Sequence, residues 1–515
     1  MGDRTETLSR RDLLQAAGGV TLLALVPRLA SATSPNTVYE VPNFGASGSG
    51  RPPIFTALPY LQPGAKSSQL VEHSEGIVIA WQTDDCPAQF DVTFGERGFD
   101  RKASISTAKR PHGKGDSETK INYAAALEGL NLNTKYRYRV SLNGETLLEG
   151  FFTTRKPRGA KTRFVAFGDN SYGDISDRAI AFQAFKAMPD FVMNAGDNVY
   201  ESGLDNEYAR YFFPVYNADL AGIRSGAPLL RAVPFYTVLA NHDVAVKGPD
   251  KHPVADFTKN PDSLGYYTNM YLPLNGPAVN QPTPTVGNPV AIDSFKVAAG
   301  DRFPKMGNYS FDYGDGHFLC LDSNVYVDPT DPQMQAWIES DLAESDAPWK
   351  FVTYHHPAFN VGAEHYHEQQ MRVLSPIFEK HGVVMVFSGH EHIYQRNRPI
   401  RFVPGDLTGA KDINSGHRLV PGTFTIDRNF DGDKATKPEG VIYITSGAGG
   451  KHLYDADMNQ NPKNWLHEED QNADYVAQLI SDRHSLTVID MDASSLKVHQ
   501  VDQWGNEVDR IHVTR

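Results

Sequence analysis

Asp190-Phe191-Val192-Met193-Asn194-Ala195-Gly196-Asp197-Asn198-Val199-Tyr200 is a short apolar run that stops on a Gly-Asp pair and reaches a tyrosine three residues later. An aspartate at the end of a buried strand can offer its two carboxylate oxygens to two cations. A phenol one turn further on can bind one of them. Asp197 is therefore read as a bridge between two metals.

Working outward, six other apolar runs have the same texture: Phe164-Val165-Ala166-Phe167, Phe235 to Leu239, Phe318 to Leu321, Phe351 to Thr353, Val383 to Phe387 and Val441 to Ile444. Continuous runs of this kind predict strands covered on both faces. They alternate with stretches of helical period at Ile175 to Met188, Pro332 to Glu344 and Tyr366 to His381, which gives an α/β layered domain. The residues just past the runs carry the chemistry. Phe167 leads to Gly168-Asp169, Leu239 to Ala240-Asn241-His242-Asp243, Thr353 to Tyr354-His355-His356-Pro357, and Phe387 to Ser388-Gly389-His390-Glu391-His392. In an open α/β sheet the carboxyl ends of the strands share one edge, where ligands bind. Five segments thus deliver aspartate, tyrosine, asparagine and histidine side chains to one place, and these residue types bind hard or borderline cations.

In order, these five blocks resemble those of the calcineurin-like metallophosphoesterases, which implies that family's layered α/β (α+β) sandwich, and the tyrosine of the second block points to the purple acid phosphatase branch. The resemblance implies one metal held by Asp169, Asp197, Tyr200 and His392, and a second held by Asp197, Asn241, His355 and His390. It also implies Fe(III) in the first site, with a tyrosinate colour, and Fe, Zn or Mn in the second. Carboxylate and phenolate oxygens suit a hard trivalent ion, and imidazoles with an amide suit a borderline divalent one. The third block departs from the family's Gly-Asn-His-Glu, ending here on Asp243, and the fourth has adjacent histidines, so that His356 rivals His355 as the ligand. Two cations can neutralise phosphoryl oxygens and lower the pKa of a bound water from 15.7 towards about 7, so that a metal-bound hydroxide attacks in line. His242, next to a ligand, is expected to face the site and serve the leaving group. His365, and after it His367, lie where the family places substrate-facing histidines.

Before this domain, Gly76 to Trp81, Phe90 to Gly95 and Lys135 to Val140 alternate with period two, which predicts a small all-β sandwich over 55–156 with Trp81 in its core. The stretch from Leu127 to Tyr138 resembles the tyrosine corner of fibronectin type III domains, and such a domain precedes the catalytic one in the same branch. Residues 33–54, rich in Ser, Gly, Pro and Asn, read as a linker. Residues 1–32 resemble a bacterial twin-arginine export signal, with the pair at Arg10 and Arg11, an apolar segment too short to span a membrane, and a small-residue cleavage pattern at Ala30-Ser31-Ala32. That resemblance implies the twin-arginine export machinery as a partner, loading with metals before export, and a periplasmic or extracellular location.

The metallophosphoesterase domain is placed at 160–515, interrupted by irregular stretches at about 247–307 and 399–440. Within the second, Asp427 to Asp433 lacks the ligand order of a calcium loop and reads as a solvated turn. Strands are expected at Leu486 to Asp490 and Leu496 to Gln500, as an added sheet or the far edge of the main one. A net charge of −13 over 515 residues argues against a nucleic-acid or anionic-membrane surface, so an anionic substrate has to be captured locally. Cys86 and Cys320 fall in different domains and read as two buried thiols. The expected activity is that of an acid phosphatase acting on small phosphate monoesters. The alternatives are a phosphodiesterase, nucleotidase or nucleotide pyrophosphatase on the same core, or a secreted binding protein whose metal site is structural. Oligomeric state is left open.

Overall fold

A computed structural model describes residues 39–40, 53–66, 69–111, 119–244, 254–277, 282–413 and 415–515. The export signal read over 1–32 lies outside them. Tyr39–Glu40, within the stretch read as linker, adds a short edge strand by pairing with Ile54 and Phe55.

Strands between Ile54 and Thr153 form two antiparallel sheets whose facing side chains make one core, with Trp81 at its centre stacked on Tyr123 at 5.2 Å. The phenol of Tyr136 accepts from the amide of Asn131 at 3.0 Å. The all-β domain is therefore present.

Apart from two short two-stranded pairs, the remaining strands form two mixed sheets packed face to face, as the layered sandwich expected from the sequence requires. In the first sheet, Phe235–Thr237, Phe191–Asn194 and Thr162–Phe167 run parallel, and the C-terminal strands Ser485–Met491, Ser495–Asp502 and Glu507–Thr514 extend it antiparallel. In the second, Gly316–Cys320, Trp349–Thr353, Val383–Ser388 and Ile442–Ser446 are parallel, flanked by Tyr309–Tyr313 on one side and by Tyr394–Asn397 and Val476–Ile480 on the other. Successive strand side chains point to opposite faces. Phe318, Phe351, Met385 and Phe387 thus enter the core between the sheets, while Leu319, Val352 and Val386 enter a second core under the outer helices. Both faces being covered, the runs read as continuously apolar rather than alternating. Across the sheets Phe164 meets Phe318 and Phe351 edge-on at 5.3 and 5.5 Å.

The helices begin where their sequences direct. Asp174 caps Ile175–Ala187, in a capping box with Asp177. Asp331 accepts from the amides of Gln333 and Met334 to start Pro332–Glu344. The helix expected over Tyr366 to His381 is shorter, a 3-10 turn at Gln370–Leu374 followed by Ser375–Lys380. Pro376 has no amide to continue an earlier helix, and the chain before it is bent so that His365 and Glu368 can reach the strand ends. The two stretches read as irregular also hold structure. The helix Pro289–Ala299, capped by Asn288, lies in the first, and the hairpin of Ile400–Pro404 with Gly422–Ile426 lies in the second. Asp427 and Asp431 accept from backbone amides two to four residues ahead, as a solvated turn requires. Cys86 and Cys320 are both buried, one in each domain, with no disulfide between them. No helix of the described residues is long and apolar enough to cross a membrane.

The β-domain docks through a buried polar contact. Lys120 Nζ lies 3.2 Å from Asp205 Oδ2, and Gln82 and Asn269 donate to Asp205 Oδ1 at 3.2 and 2.9 Å. Arg110 reaches Thr268 and the carbonyl of Ser263. Asp205 comes five residues after Tyr200, so the β-domain supports the segment that leaves the site.

Candidate metal centre

The ends of Thr162–Phe167, Phe191–Asn194 and Phe235–Thr237 in one sheet and of Trp349–Thr353 and Val383–Ser388 in the other open onto a single buried place. The chain turns sharply there. Asp169, Asp197 and His390 have φ of 60°, 50° and 69°, in the left-handed region that such residues seldom occupy. The approach is also close. A Cβ on Gly196 would lie 2.6 Å from Ala240 Cβ and 2.9 Å from His355 Nδ1, and one on Gly389 would lie 2.4 Å from Asp169 Oδ2. Only glycine fits at these positions.

Around Asp169 Oδ1 stand the Tyr200 hydroxyl at 3.2 Å, His392 Nε2 at 3.5 Å and His355 Nε2 at 3.9 Å. Tyr200 and His392 are themselves 3.3 Å apart. Asp197 Oδ1 is 3.4 Å from His355 Nε2, which is 3.2 Å from His390 Nδ1. The three imidazoles share one arrangement. His355 and His392 donate from Nδ1 to the carbonyls of Ala195 and His452 at 2.8 and 2.7 Å, and His390 places Nε2 3.2 Å from Glu368 Oε2. In each ring the outer nitrogen is anchored, as in metal-ligating histidines; the inner nitrogens of His355 and His392 face the carboxylates, and that of His390 faces His355. Asn241 Oδ1 is buried and accepts no hydrogen bond among the described residues. An orphaned amide oxygen of this kind calls for a donor or a cation. Asp169, Asp197 and His355 bring one ligand atom each within 4.8 Å of one another. This donor set, with its orphaned oxygen, fits a metal centre.

The electrostatics agree. Burial alone would push the His355 pKa down, but Asp197 and Asp169 outweigh it and hold it up at about 9, so the pocket seeks positive charge. Burial, then the charges of Asp197 and Asp169, raise the Tyr200 phenol well above its ordinary value. A phenolate there requires a cation in contact. His390 is pushed well down by burial and by the neighbouring His365 and His355, which leaves it a neutral donor.

His356, the rival of His355, turns elsewhere. Its Nδ1 is 2.9 Å from Ser323 Oγ and its Nε2 is 3.5 Å from Glu368 Oε2. His242 reaches the site in two ways. Its amide donates to Asp197 Oδ1 at 3.0 Å, and its ring lies 4.5 Å from that of Tyr200 with Nδ1 donating to the Glu201 carbonyl. The His365 ring lies 3.7 Å from that of His390, tilted by 34°. His367 instead stacks on His417 at 4.8 Å. Asp243, in place of the family's glutamate, is buried and accepts from the Asn198 amide and side chain, the Ala240 amide and the Tyr208 hydroxyl. The shorter side chain therefore still ties the second and third blocks together.

Glu368 is a site residue that the sequence did not single out. Its carboxylate meets His356 and His390 through Oε2 and His365 through Oε1, the last at 3.2 Å, and with His356 and His390 it forms a second cluster able to hold an ion. The only cue was its place three residues after His365. Lys451 and Tyr454, which flank Tyr200 and His392, had little cue, because the strand Ile442–Ser446 runs into Gly447 to Gly450 and only the single His452 stands between them.

Known proteins resemble this chain in sequence and fold. Residues 162–394 match the family model of the calcineurin-like phosphoesterases. Purple acid phosphatase 17 of Arabidopsis thaliana is 26% identical over 288 residues, spanning 53% of this chain and 75% of the relative. The purple acid phosphatase of Glycine max is 24% identical over 394 residues, 71% of this chain and 73% of the relative. Among solved structures, the purple acid phosphatase PPD1 of yellow lupin (Lupinus luteus) superimposes with a TM-score of 0.60 at 17% identity, covering 89% of this chain and 74% of that one. At that identity the likeness speaks for the fold. Two sheets with a polar, metal-competent cluster at their carboxyl ends make the chain a metallophosphoesterase of the calcineurin-like class. Within that class it is purple acid phosphatase-like, and it is a phosphoric ester hydrolase.

Proposed function

We propose that the chain hydrolyses phosphate monoesters at a binuclear metal centre. Asp169, Asp197, Tyr200 and His392 would hold the first ion, as Fe(III), and Asp197, Asn241, His355 and His390 the second, as Fe, Zn or Mn. The observation that carries this reading is the set of anchored imidazoles, those of His355 and His392 with their free nitrogens facing Asp169 and Asp197 and that of His390 facing His355, beside the orphaned Asn241 Oδ1. His355 is preferred to His356 because it faces the aspartates while His356 faces Glu368. When bound, two such ions would neutralise phosphoryl oxygens and make hydroxide available near neutral pH.

The chain's own residues do the rest. The amide of His242 orients Asp197 through Oδ1. The His242 ring keeps its Nδ1 proton on the Glu201 carbonyl, so Nε2 carries a proton only in the imidazolium. That form can release the proton to a leaving alkoxide, which favours acid solution. Glu368 holds the proton of His365 on Nδ1 and leaves Nε2 to meet the ester. The purple acid phosphatase-like relatives support the reading, and Purple acid phosphatase 17 is matched along most of its length. The β-domain would be fibronectin-like and serve packing, over about 55–156, ahead of the catalytic unit at 160–515. Export by the twin-arginine route would bring a metal-loaded protein to the periplasm or beyond.

Two measurements test this. Asp197→Ala should strip both metals and lower turnover at least a thousandfold, and a variant that kept full phosphatase activity would leave a binding protein as the better reading. Wild type should favour p-nitrophenyl phosphate over its bis ester. A clear preference for the diester would make the protein a phosphodiesterase on the same core.

A further inference from the structure

One flank of the metal centre is lined by the rings of Tyr172, His452 and Tyr454, which have no part in the hydrolysis itself. Tyr172 is 40% exposed and stands edge-on to Tyr200 at 6.1 Å, one ring away from the phenol that would meet the first metal. From it an arc continues through His452 at 6.1 Å and Tyr454, 5.9 Å further on, to His365 at 5.7 Å. Tyr454 lies flat on His392 at 4.0 Å.

The arc is rigid. Beneath Tyr172 sits the ammonium of Lys451, 3.3 Å from the centre of that ring and 4.4 Å from the centre of Tyr200, and held by Glu201 Oε1 at 2.8 Å. Lys451 itself is only 5% exposed, and a buried ammonium against a ring face fixes the plane of the ring. The backbone of Tyr172 is fixed as well. Asp177 Oδ2 accepts from the amides of Tyr172, Gly173 and Asp174. The loop carrying Lys451 and Tyr454 is fastened to both neighbours, since Ser176 Oγ donates to the Gly450 carbonyl at 2.7 Å and the Lys451 amide donates to the Asp169 carbonyl at 2.9 Å. An exposed ring held in one orientation loses little entropy when a planar group stacks on it.

We infer that Tyr172, locked by Lys451, is the leaving-group platform of the site and makes it select esters whose leaving group is a planar aromatic ring. The inference rests on the metal-centre reading, because the phosphoryl group has to be anchored beside Tyr200 for its leaving group to reach Tyr172. Offset or edge-on ring contacts of this kind correspond to an affinity change of about fivefold.

The test is calorimetric binding of phenylphosphonate and methylphosphonate to the full-length, metal-loaded protein. Wild type should bind the phenyl compound more tightly. Tyr172→Ala should lose about fivefold for phenylphosphonate with methylphosphonate unchanged, which also reports an intact centre. Tyr172→Phe should keep the preference, and Lys451→Met should lose part of it. Equal weakening of both ligands in Tyr172→Ala, or a phenyl preference that survives it, overturns the inference. A protein that prefers diesters yet keeps a Tyr172-dependent phenyl preference refutes the monoester reading and leaves the platform standing. Failure of both phosphonates to bind wild type refutes both.

Discussion

Lys120→Met removes one member of the buried ion pair that docks the β-domain. The pair is 3.2 Å apart with both side chains essentially inaccessible, at 1% and 0%. At an effective dielectric of about 20 the attraction is about 5 kcal/mol, set against several kcal/mol of desolvation for each ion. Burial pulls the Lys120 pKa down, and Asp205 is the main force opposing it. After the substitution Asp205 is left with the neutral donors Gln82 and Asn269 and the field of Arg110. A carboxylate left so is costly, and the expected loss is about 3 kcal/mol, the lower end for breaking a buried pair because Arg110 remains. Replacing both partners, as Lys120→Met with Asp205→Asn, should bring stability back to within about 1 kcal/mol of wild type, since the amide oxygen introduced in place of the carboxylate would still accept from Gln82 and Asn269. Urea denaturation of the metal-loaded protein at neutral pH reads both effects. A single variant that loses less than about 1 kcal/mol, or a double variant that loses the sum of the two singles, would refute the idea that this contact is a docking pair.

A second expectation concerns pH. Burial tends to lower the His317 pKa, but Asp312 at 2.7 Å and Asp341 at 2.9 Å raise it to about 9 from 6.5. The stabilisation, about 3 kcal/mol for a shift of this size, is complete below about pH 6.5 and disappears as pH rises through 9, so the melting temperature should fall across that window in wild type. His317→Asn should flatten that part of the profile, and an unchanged slope would count against the charged triad. Colour provides the third. If Tyr200 binds Fe(III), wild type should absorb broadly in the visible and Tyr200→Phe should bleach it, while a colourless, fully active wild type would mean another metal or another ligand.

The candidate metal ligands were legible in the sequence alone. Gly-Asp, Gly-Asp-Asn-Val-Tyr, Asn-His-Asp, His-His-Pro and Gly-His-Glu-His stand directly after apolar runs, and strand ends are local features that a linear chain displays. The all-β domain was legible for the same reason, since period-two alternation is a property of neighbours. What the tertiary structure decided is everything that depends on chain segments meeting. The stacking of two sheets, which the family resemblance implied, is set by cross-sheet contacts such as Phe164 with Phe351, and the apolar runs alone do not show it because side chains buried on both faces look alike in one open sheet. His355 and His356 are adjacent in sequence, and only the turn after the strand sends one toward Asp197 and the other toward Glu368. Glu368, Tyr172 and Lys451 take their meaning from neighbours in space, Tyr172 and Lys451 being 279 residues apart in sequence. Placing a charge or a ring beside its partner is a matter of distance in space, and distance in sequence carries no record of it.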